Sequence, residues 1–201
     1  GKEKITYEAA NETDEVGIVR GLAWTSVGGD TLQIEVNVMP GKGELKLTGQ
    51  LGDVMKESAQ TALTFVRSIC PKYGVADDYF AKHDMHIHIP EGAVPKDGPS
   101  AGITMATAML SAVTDRKVKA SVAMTGEITL RGRVLPIGGL KEKILAAKMA
   151  HMKTVLVPDK NRPDIAELSE EIIDGLKIVF VKTMEDVVKE AFAEPQEEKA
   201  E

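Results

Sequence analysis

The sequence predicts a compact α+β domain with several mixed β-strands and about five or six helices. Its 201 residues are 43% hydrophobic and 28% charged, a composition with which a chain of this length buries a core. Short runs rich in β-branched residues alternate with longer segments whose apolar residues recur at helical spacing. The predicted domain covers residues 1–193, with an irregular lead-in at 1–15 and a disordered polar tail at 194–201.

The first predicted strands lie in the N-terminal quarter of the chain. Residues 17–40 are rich in Val, Ile and Thr, and they contain Gly28-Gly29-Asp30. This pattern predicts a hairpin of two strands joined by a glycine turn. Residues 44–48 alternate polar and apolar side chains and predict a third strand.

A helix is predicted to start at Asp53, a suitable N-cap, and to end near Pro71. Its apolar positions at helical spacing are Met55, Ala59, Ala62, Leu63, Val66 and Ile69. Residues 85–90 alternate Met and Ile with histidine and predict a short strand that leads into the loop 91–99. The elements predicted after that loop are a buried helix at 99–113, strands at 121–125 and 129–137, a helix at 140–151, a strand at 154–158, a helix at 164–173, a strand at 177–181 and a helix at 184–192.

Composition and charge exclude several classes of function. The net charge of −6 and the pI near 5.4 disfavour nucleic acid as a partner. No apolar run reaches the roughly 18 to 20 residues that a membrane helix needs, and the N-terminus lacks a signal-peptide pattern. The single cysteine, Cys70, cannot form an internal disulfide, which suits a reducing compartment. Gly1 in place of Met suggests a piece of a larger parent.

Ser100 is the first candidate catalytic residue. It lies where the glycine-containing loop enters a buried helix, among small neighbours that leave its hydroxyl approachable. Free backbone N–H groups at a helix start favour an anion, so they would hold a tetrahedral oxyanion nearby. Serine is also a preferred capping residue, and from position alone capping is the more frequent role.

Two familiar serine-hydrolase patterns fit this region poorly. Gly98-Pro99-Ser100-Ala101-Gly102 satisfies G-x-S-x-G, but the candidate strand ends about ten residues early and His151 is the only histidine downstream. No serine in the chain has a lysine three residues on, which excludes the S-x-x-K arrangement. A base other than histidine is therefore worth seeking.

Lys143 is the best candidate for that base. It lies one turn into the helix after Gly138-Gly139, on a face made of small and apolar residues. Burial there would lower the pKa of its amine and keep it neutral near pH 7. Lys141 shares a stripe with Lys148, which indicates a solvated face, but periodicity alone prefers Lys143 only mildly.

Three segments resemble the sequence blocks of the Lon protease family. Residues 95–105, which run Pro-Lys-Asp-Gly-Pro-Ser-Ala-Gly-Ile-Thr-Met, resemble the family's active-serine signature. Residues 124–132 and 135–143 resemble the next two blocks, in the same order and at family-like spacing. Shorter stretches at 21–25, 28–29 and 49–52 extend the likeness over nearly the whole chain, up to about Phe192.

The resemblance implies a Lon-type serine endopeptidase domain with a catalytic dyad of Ser100 and Lys143. It also implies that Thr125 orients the lysine amine and that Asp97 supports the site. Such a domain normally follows an AAA+ ATPase in a hexameric ring, but this chain contains no G-x-x-x-x-G-K-[ST] loop. We therefore expect no cofactor in this chain, with ATP and Mg used by the ATPase module of the parent. The implied substrates are unfolded or damaged proteins, in the cytoplasm or, in a eukaryote, the mitochondrial matrix.

Three alternatives remain from the sequence. The first is a non-catalytic interaction module of the same fold. The second is a hydrolase in which Ser100 works with His151 and an acid. The third is a zinc hydrolase built on His86 and His88, with His83 or Asp84 as a further ligand. We expect no metal site, because the two histidines fit a structural role beneath the loop.

Overall fold

A seven-stranded mixed sheet forms the centre of the molecule. The structure is a computed structural model that describes residues 13–25, 28–92 and 94–194. The described strands are β1 (Glu15–Val16), β2 (Ile18–Thr25), β3 (Gly28–Pro40), β4 (Leu45–Thr48), β5 (His83–His88), β6 (Lys117–Val118), β7 (Val122–Met124), β8 (Glu127–Ile128), β9 (Val134–Leu135), β10 (Thr154–Pro158) and β11 (Lys177–Val181). The order in the main sheet is β11-β10-β7-β2-β3-β5-β4, and β1 with β6 and β8 with β9 form two small antiparallel pairs.

Seven α-helices are found in the described part of the chain, together with two short 3₁₀ turns. The helices are α1 (Asp53–Ile69), α2 (Tyr79–Lys82), α3 (Gly102–Thr114), α4 (Leu140–Met149), α5 (Arg162–Ala166), α6 (Glu170–Ile173) and α7 (Met184–Ala191). None of the helices in these ranges has the length and apolar character needed to cross a membrane.

Two helices cover opposite faces of the central strands. Side chains alternate along β2, so Val19 joins the larger hydrophobic cluster, which also contains residues of α3. Leu22 faces the other way and joins a second cluster with Leu140 and Ile144 of α4. The helix after Ser100 and the helix with Lys143 therefore pack against the same strands from two sides.

The α+β class is confirmed, and most predicted elements are found near their predicted positions. The helix α3 is buried on almost every side, since residues 102–111 are all buried. The predicted strands at 44–48, 154–158 and 177–181 correspond to β4, β10 and β11. Residues 1–12 and 195–201, most of the predicted lead-in and tail, lie outside the described residues, but Glu15 already belongs to β1.

The predicted hairpin is confirmed as β2 and β3, but its turn does not lie at Gly28-Gly29-Asp30. Gly28 and Gly29 are the first residues of β3, where they pair with Thr25 and Trp24. A Cβ on Gly29 would lie 2.0 Å from the carbonyl oxygen of Glu142. Gly29 therefore allows α4 to pack close to the sheet.

Three other element predictions also differ from the structure. Of the predicted strand at 129–137, only Val134–Leu135 is a strand, β9. It pairs with β8, and the residues between the two form a turn with Gly132 at a positive φ of 75°. The predicted helix at 164–173 is divided into α5 and α6, because Ser169 is extended. Asp53 is the first helical residue of α1 and Gly52 is its N-cap.

Candidate active site

Ser100 lies beside the carboxyl end of β7. Its carbonyl oxygen accepts a hydrogen bond from the N–H of Gly126 at 2.9 Å. The N-cap of α3 is Ala101, and no side chain caps this helix. The Ser100 hydroxyl therefore does not serve as a cap, which removes the more frequent explanation for a serine at this position. The residue is half-buried, and its hydroxyl has no hydrogen-bond partner among the described residues.

Asp97 fastens the loop before Ser100 to the start of α1. Its carboxylate accepts a hydrogen bond from the N–H of Met55 at 2.9 Å. Hydrogen bonds from the N–H groups of Met55, Gly98 and Val54 lower the pKa of this carboxyl group. The Asp97 carboxylate thus accepts a hydrogen bond from an N–H group at the start of α1, which is the usual role of an N-cap side chain. Gly52, the N-cap residue, has no side chain and so leaves space for this carboxylate. Asp97 thus contributes to the shape of the loop.

Lys143 is buried on α4, with only 3% of its surface exposed. Leu140, Ile144 and Ala147 of the same helix are buried around it. Because burial penalises the charged form, the pKa of the Lys143 amine is lowered to about 8. No described residue forms a hydrogen bond or an ion pair with this amine. Lys141 is exposed, which agrees with the prediction that it lies on the solvated face of this helix.

The segment before α4 is held by Asn161, which lies 24 residues further along the chain. The side-chain oxygen of Asn161 accepts from the N–H of Ile137, and its amide nitrogen donates to the Ile137 carbonyl, both at 2.9 Å. The same nitrogen donates to Asp164 at 2.8 Å. Asn161 is 3% exposed, so water does not compete for these bonds. Sequence reasoning missed this residue, because nothing local marks its distant partner.

One cavity of about 1310 Å³ is lined by both Ser100 and Lys143. Lys96 and Asp97 of the loop also line it, and so does Trp24 of β2, whose side chain covers Gly139 at the start of α4. Trp24 is 61% exposed, an unusual amount of apolar surface for a tryptophan. The cavity thus brings together the unbonded hydroxyl of Ser100, the desolvated amine of Lys143 and the aromatic side chain of Trp24. Its volume is sufficient for several residues of a peptide.

Thr125 follows β7 in the chain and is fully buried. The next residue, Gly126, donates the hydrogen bond to the Ser100 carbonyl. The N–H of Thr125 donates to the carbonyl of Leu156 at 3.1 Å. Its hydroxyl has no hydrogen-bond partner among the described residues. A buried hydroxyl without a partner costs about 1–3 kcal/mol, so it points to a role beyond stability.

The structure gives little support to the histidine-based alternatives. His151 is exposed beyond the end of α4 and is not among the residues that line the cavity. His86 and His88 both contact the Thr48 hydroxyl, at 2.8 and 2.6 Å. The other two proposed zinc ligands are engaged elsewhere: the His83 ring with the Tyr79 carbonyl and the Asp84 carboxylate with three N–H groups of residues 42–44. Within the described ranges, no group of three suitable side chains is arranged to hold a metal ion.

A family model matches residues 1–194, and it describes the Lon protease (S16) C-terminal proteolytic domain. Among curated proteins, the chain is 67% identical over 191 residues to a Lon protease of Lachnoclostridium phytofermentans, a match that covers 95% of this chain and 24% of that protein. It is 56% identical over 191 residues to Lon protease 1 of Bacillus subtilis, covering 95% of this chain and 25% of that protein. The chain thus spans about a quarter of the length of these relatives.

Proposed function

Since this chain belongs to the Lon protease family and matches its C-terminal proteolytic domain, we propose that it is a serine endopeptidase that works through a dyad of Ser100 and Lys143. The observation that carries the proposal is the state of Lys143. Its amine is desolvated, has a pKa lowered to about 8, and faces the same cavity as a serine whose hydroxyl caps no helix. A general base needs a pKa close to the working pH, and this one meets the requirement.

The reaction begins with neutral Lys143. The amine removes the proton from the Ser100 hydroxyl, and the serine oxygen attacks the carbonyl carbon of a peptide bond. The oxyanion that forms is stabilised by the backbone N–H groups of Ser100 and Ala101 just before α3, since those of Gly102 and Ile103 already donate to the carbonyls of Pro99 and Gly126. The Lys143 ammonium then protonates the leaving amine, which leaves an acyl group on Ser100. Lys143 next removes a proton from a water molecule as the water oxygen attacks the acyl carbon. The bond between that carbon and the Ser100 oxygen breaks, the Lys143 ammonium returns the proton to the serine oxygen, and the second product leaves as a carboxylic acid.

Thr125 and Asp97 support this dyad in different ways. In the catalytic step, the Thr125 hydroxyl, which has no partner among the described residues, would accept a hydrogen bond from the Lys143 amine and so direct the lone pair of the amine toward Ser100. Its full burial and its lack of another partner in the described chain support this role. Asp97 acts through the loop, since its carboxylate is already engaged at the start of α1.

We further propose that the substrates are unfolded or damaged proteins of the cytoplasm. In the parent protein an AAA+ module, which uses ATP and Mg, would deliver them to a hexameric ring of these domains. The family assignment and the size of the cavity support this view. No cofactor is required by the steps above, because every proton transfer uses Lys143.

A labelling experiment tests the assignment of the nucleophile. The protein is incubated with a fluorophosphonate, which reacts with activated serine hydroxyls, and the modified residue is identified by mass spectrometry of its peptides. We expect one adduct, on Ser100, that is absent from Ser100→Ala and forms much more slowly in Lys143→Met. An adduct on another serine, with Ser100 unmodified, would exclude this proposal.

A further inference from the structure

A second lysine, Lys96, lies buried in the wall of the cavity. It is 9% exposed, and its ammonium group donates three hydrogen bonds to backbone carbonyls. The acceptors are Gly49 at 2.9 Å, Glu91 at 2.6 Å and Val94 at 2.8 Å. An ammonium group has three N–H donors, so every donor of Lys96 is used.

These three bonds connect separate parts of the chain. Gly49 follows β4, whereas Glu91 and Val94 belong to the loop that leads to Ser100. The main chain of Lys96 strengthens the connection: its N–H donates to Gln50 at 3.0 Å and its carbonyl accepts from Gly52 at 2.7 Å. One residue thus fastens the loop to the segment 49–52 through its backbone and its side chain, four residues before the proposed nucleophile.

The bonding of Lys96 distinguishes it from Lys143. Three acceptors around the nitrogen hold Lys96 as a cation, and a cation has no lone pair with which to take a proton. Burial lowers the pKa of Lys96, and the charge of Glu91 offsets only part of that lowering. Lys143, by contrast, has no partner among the described residues. Two lysines line one cavity, but only the unbonded amine is free to act as a base.

Removing the ammonium group would leave the carbonyl oxygens of Gly49 and Val94 without a donor among the described residues, while the Glu91 carbonyl would keep the N–H of Val94 at 3.1 Å. Gly49 is buried, and a buried acceptor without a partner is costly, so the loop and the segment 49–52 would have to rearrange. Such a change would move the residues on either side of Lys96, including the short connection to Ser100. The fold around the loop has other anchors, since Asp97 still holds α1.

We propose that Lys96 is a positioning residue for Ser100: the Lys96 ammonium holds the described loop residues 91, 92 and 94–99 in the shape that presents the serine hydroxyl to the substrate. The inference rests on the proposed role of Ser100 as the nucleophile. It assigns to Lys96 no contact with the reacting atoms. Its effect should appear in the rate of the chemical step rather than in substrate binding or in the pH at which the base loses its proton.

The test compares Lys96→Met with Lys72→Met, the same change at an exposed position that does not line the cavity. Both variants are made in the natural full-length protein. The kcat for hydrolysis of a fluorogenic peptide is divided by the number of serines that react with a fluorophosphonate, so that only reactive sites are counted. We expect Lys96→Met to lower kcat at least about tenfold, equivalent to about 1.4 kcal/mol in the barrier. KM should change less than about threefold, and the pH midpoint should stay where the native enzyme has it. Lys72→Met should behave as native.

A chemical rescue separates the ammonium group from the general effect of a substitution. Lys96→Cys is treated with 2-bromoethylamine, which rebuilds a side chain of nearly the same length with an amine at its end. The natural cysteine, Cys70, is 2% exposed and burial raises the pKa of its thiol to about 11, so it reacts slowly. We expect the amine to restore at least about a third of kcat, and treatment with neutral iodoacetamide to restore none.

Either of two results would overturn the inference: a kcat per reactive serine in Lys96→Met within about threefold of native, or equal rescue by the neutral reagent. Ser100→Ala, measured in the same series, keeps the two proposals apart. If Ser100→Ala retains activity, the assignment of the nucleophile fails. If Ser100→Ala is inactive while Lys96→Met is native-like, only the role of Lys96 fails.

Discussion

Gly29 of β3 and Glu142 of α4 lie so close together that a Cβ atom on Gly29 would stand 2.0 Å from the Glu142 carbonyl oxygen. This contact sets the distance between the sheet and the helix that carries Lys143, the residue next to Glu142. A backbone carbonyl inside a helix cannot move without the helix, so any side chain at position 29 displaces α4 from the sheet.

We predict that Gly29→Ala lowers both stability and activity. Forcing a methyl group into this contact should reduce the free energy of unfolding by about 1–3 kcal/mol and lower kcat by displacing Lys143. Chemical denaturation and peptide hydrolysis measure the two effects. Gly92→Ala is the control, because a Cβ there meets no atom within 4 Å. Equal stability of the two variants would show that α4 shifts without cost.

The pH dependence of the reaction should follow the Lys143 amine. Because the base must be neutral and its pKa is lowered to about 8, we predict that kcat/KM rises as the pH increases through about 8 and then levels off. The profile is measured with a neutral fluorogenic peptide from pH 6 to 10. A rate that is already constant between pH 6 and 7 would indicate a base with a lower pKa, such as a histidine.

The buried Lys143 should lower the free energy of unfolding at pH values at which its amine is charged. Burial disfavours its charged form, so we predict that Lys143→Met raises the free energy of unfolding by about 1–3 kcal/mol at pH 6 while it abolishes activity. The unfolded lysine binds its proton more tightly than the folded one, so native stability increases from about pH 8 toward 10.5, and this increase should be absent from the variant.

Denaturant titrations at pH 6 and pH 10 measure this difference. Lys141→Met, on the exposed face of the same helix, should change stability by less than about 0.5 kcal/mol at either pH. If Lys143→Met is less stable than native at pH 6, the lysine is not a desolvated charge and our account of its pKa fails.

Thr125 should matter for catalysis more than for stability. We predict that Thr125→Val, which replaces the unpartnered hydroxyl with a methyl group of similar size, leaves the free energy of unfolding unchanged or slightly higher and lowers kcat at least about tenfold. Thr125→Ser keeps the hydroxyl and should retain most of the activity. The variants are compared by peptide hydrolysis and thermal unfolding. Native kcat in Thr125→Val would mean that the hydroxyl does not orient the amine.

The sequence predicts a structural role well when that role depends on residues that are adjacent or at regular spacing in the chain. Regular apolar spacing predicts α1, and the small residues around α3 predict its burial, because those patterns are local. The role of Gly29 depends on Glu142 and that of Asn161 on Ile137, so neither could be predicted from adjacent residues. Lys96 has an acceptor 47 residues away, and in a polar loop it is indistinguishable from a solvated lysine.

The Ser100 and Lys143 assignments have different sources. Residue chemistry and helical periodicity select both as candidates, but periodicity separates Lys143 from Lys141 only mildly. The resemblance to the Lon proteases selects Lys143. The structure adds an independent physical reason, since Lys141 is exposed and Lys143 is 3% exposed on the wall of the cavity that Ser100 also lines.

Peptide hydrolysis at pH 8 decides whether Ser100 and Lys143 form a catalytic dyad, when the native protein is compared with Ser100→Ala and Lys143→Ala and the fold of each variant is checked by circular dichroism. We expect both variants to be folded and each to have lost at least about a thousandfold in kcat, because the nucleophile or its base is gone. Native-like activity in folded Lys143→Ala would contradict the dyad, since the base would then lie elsewhere.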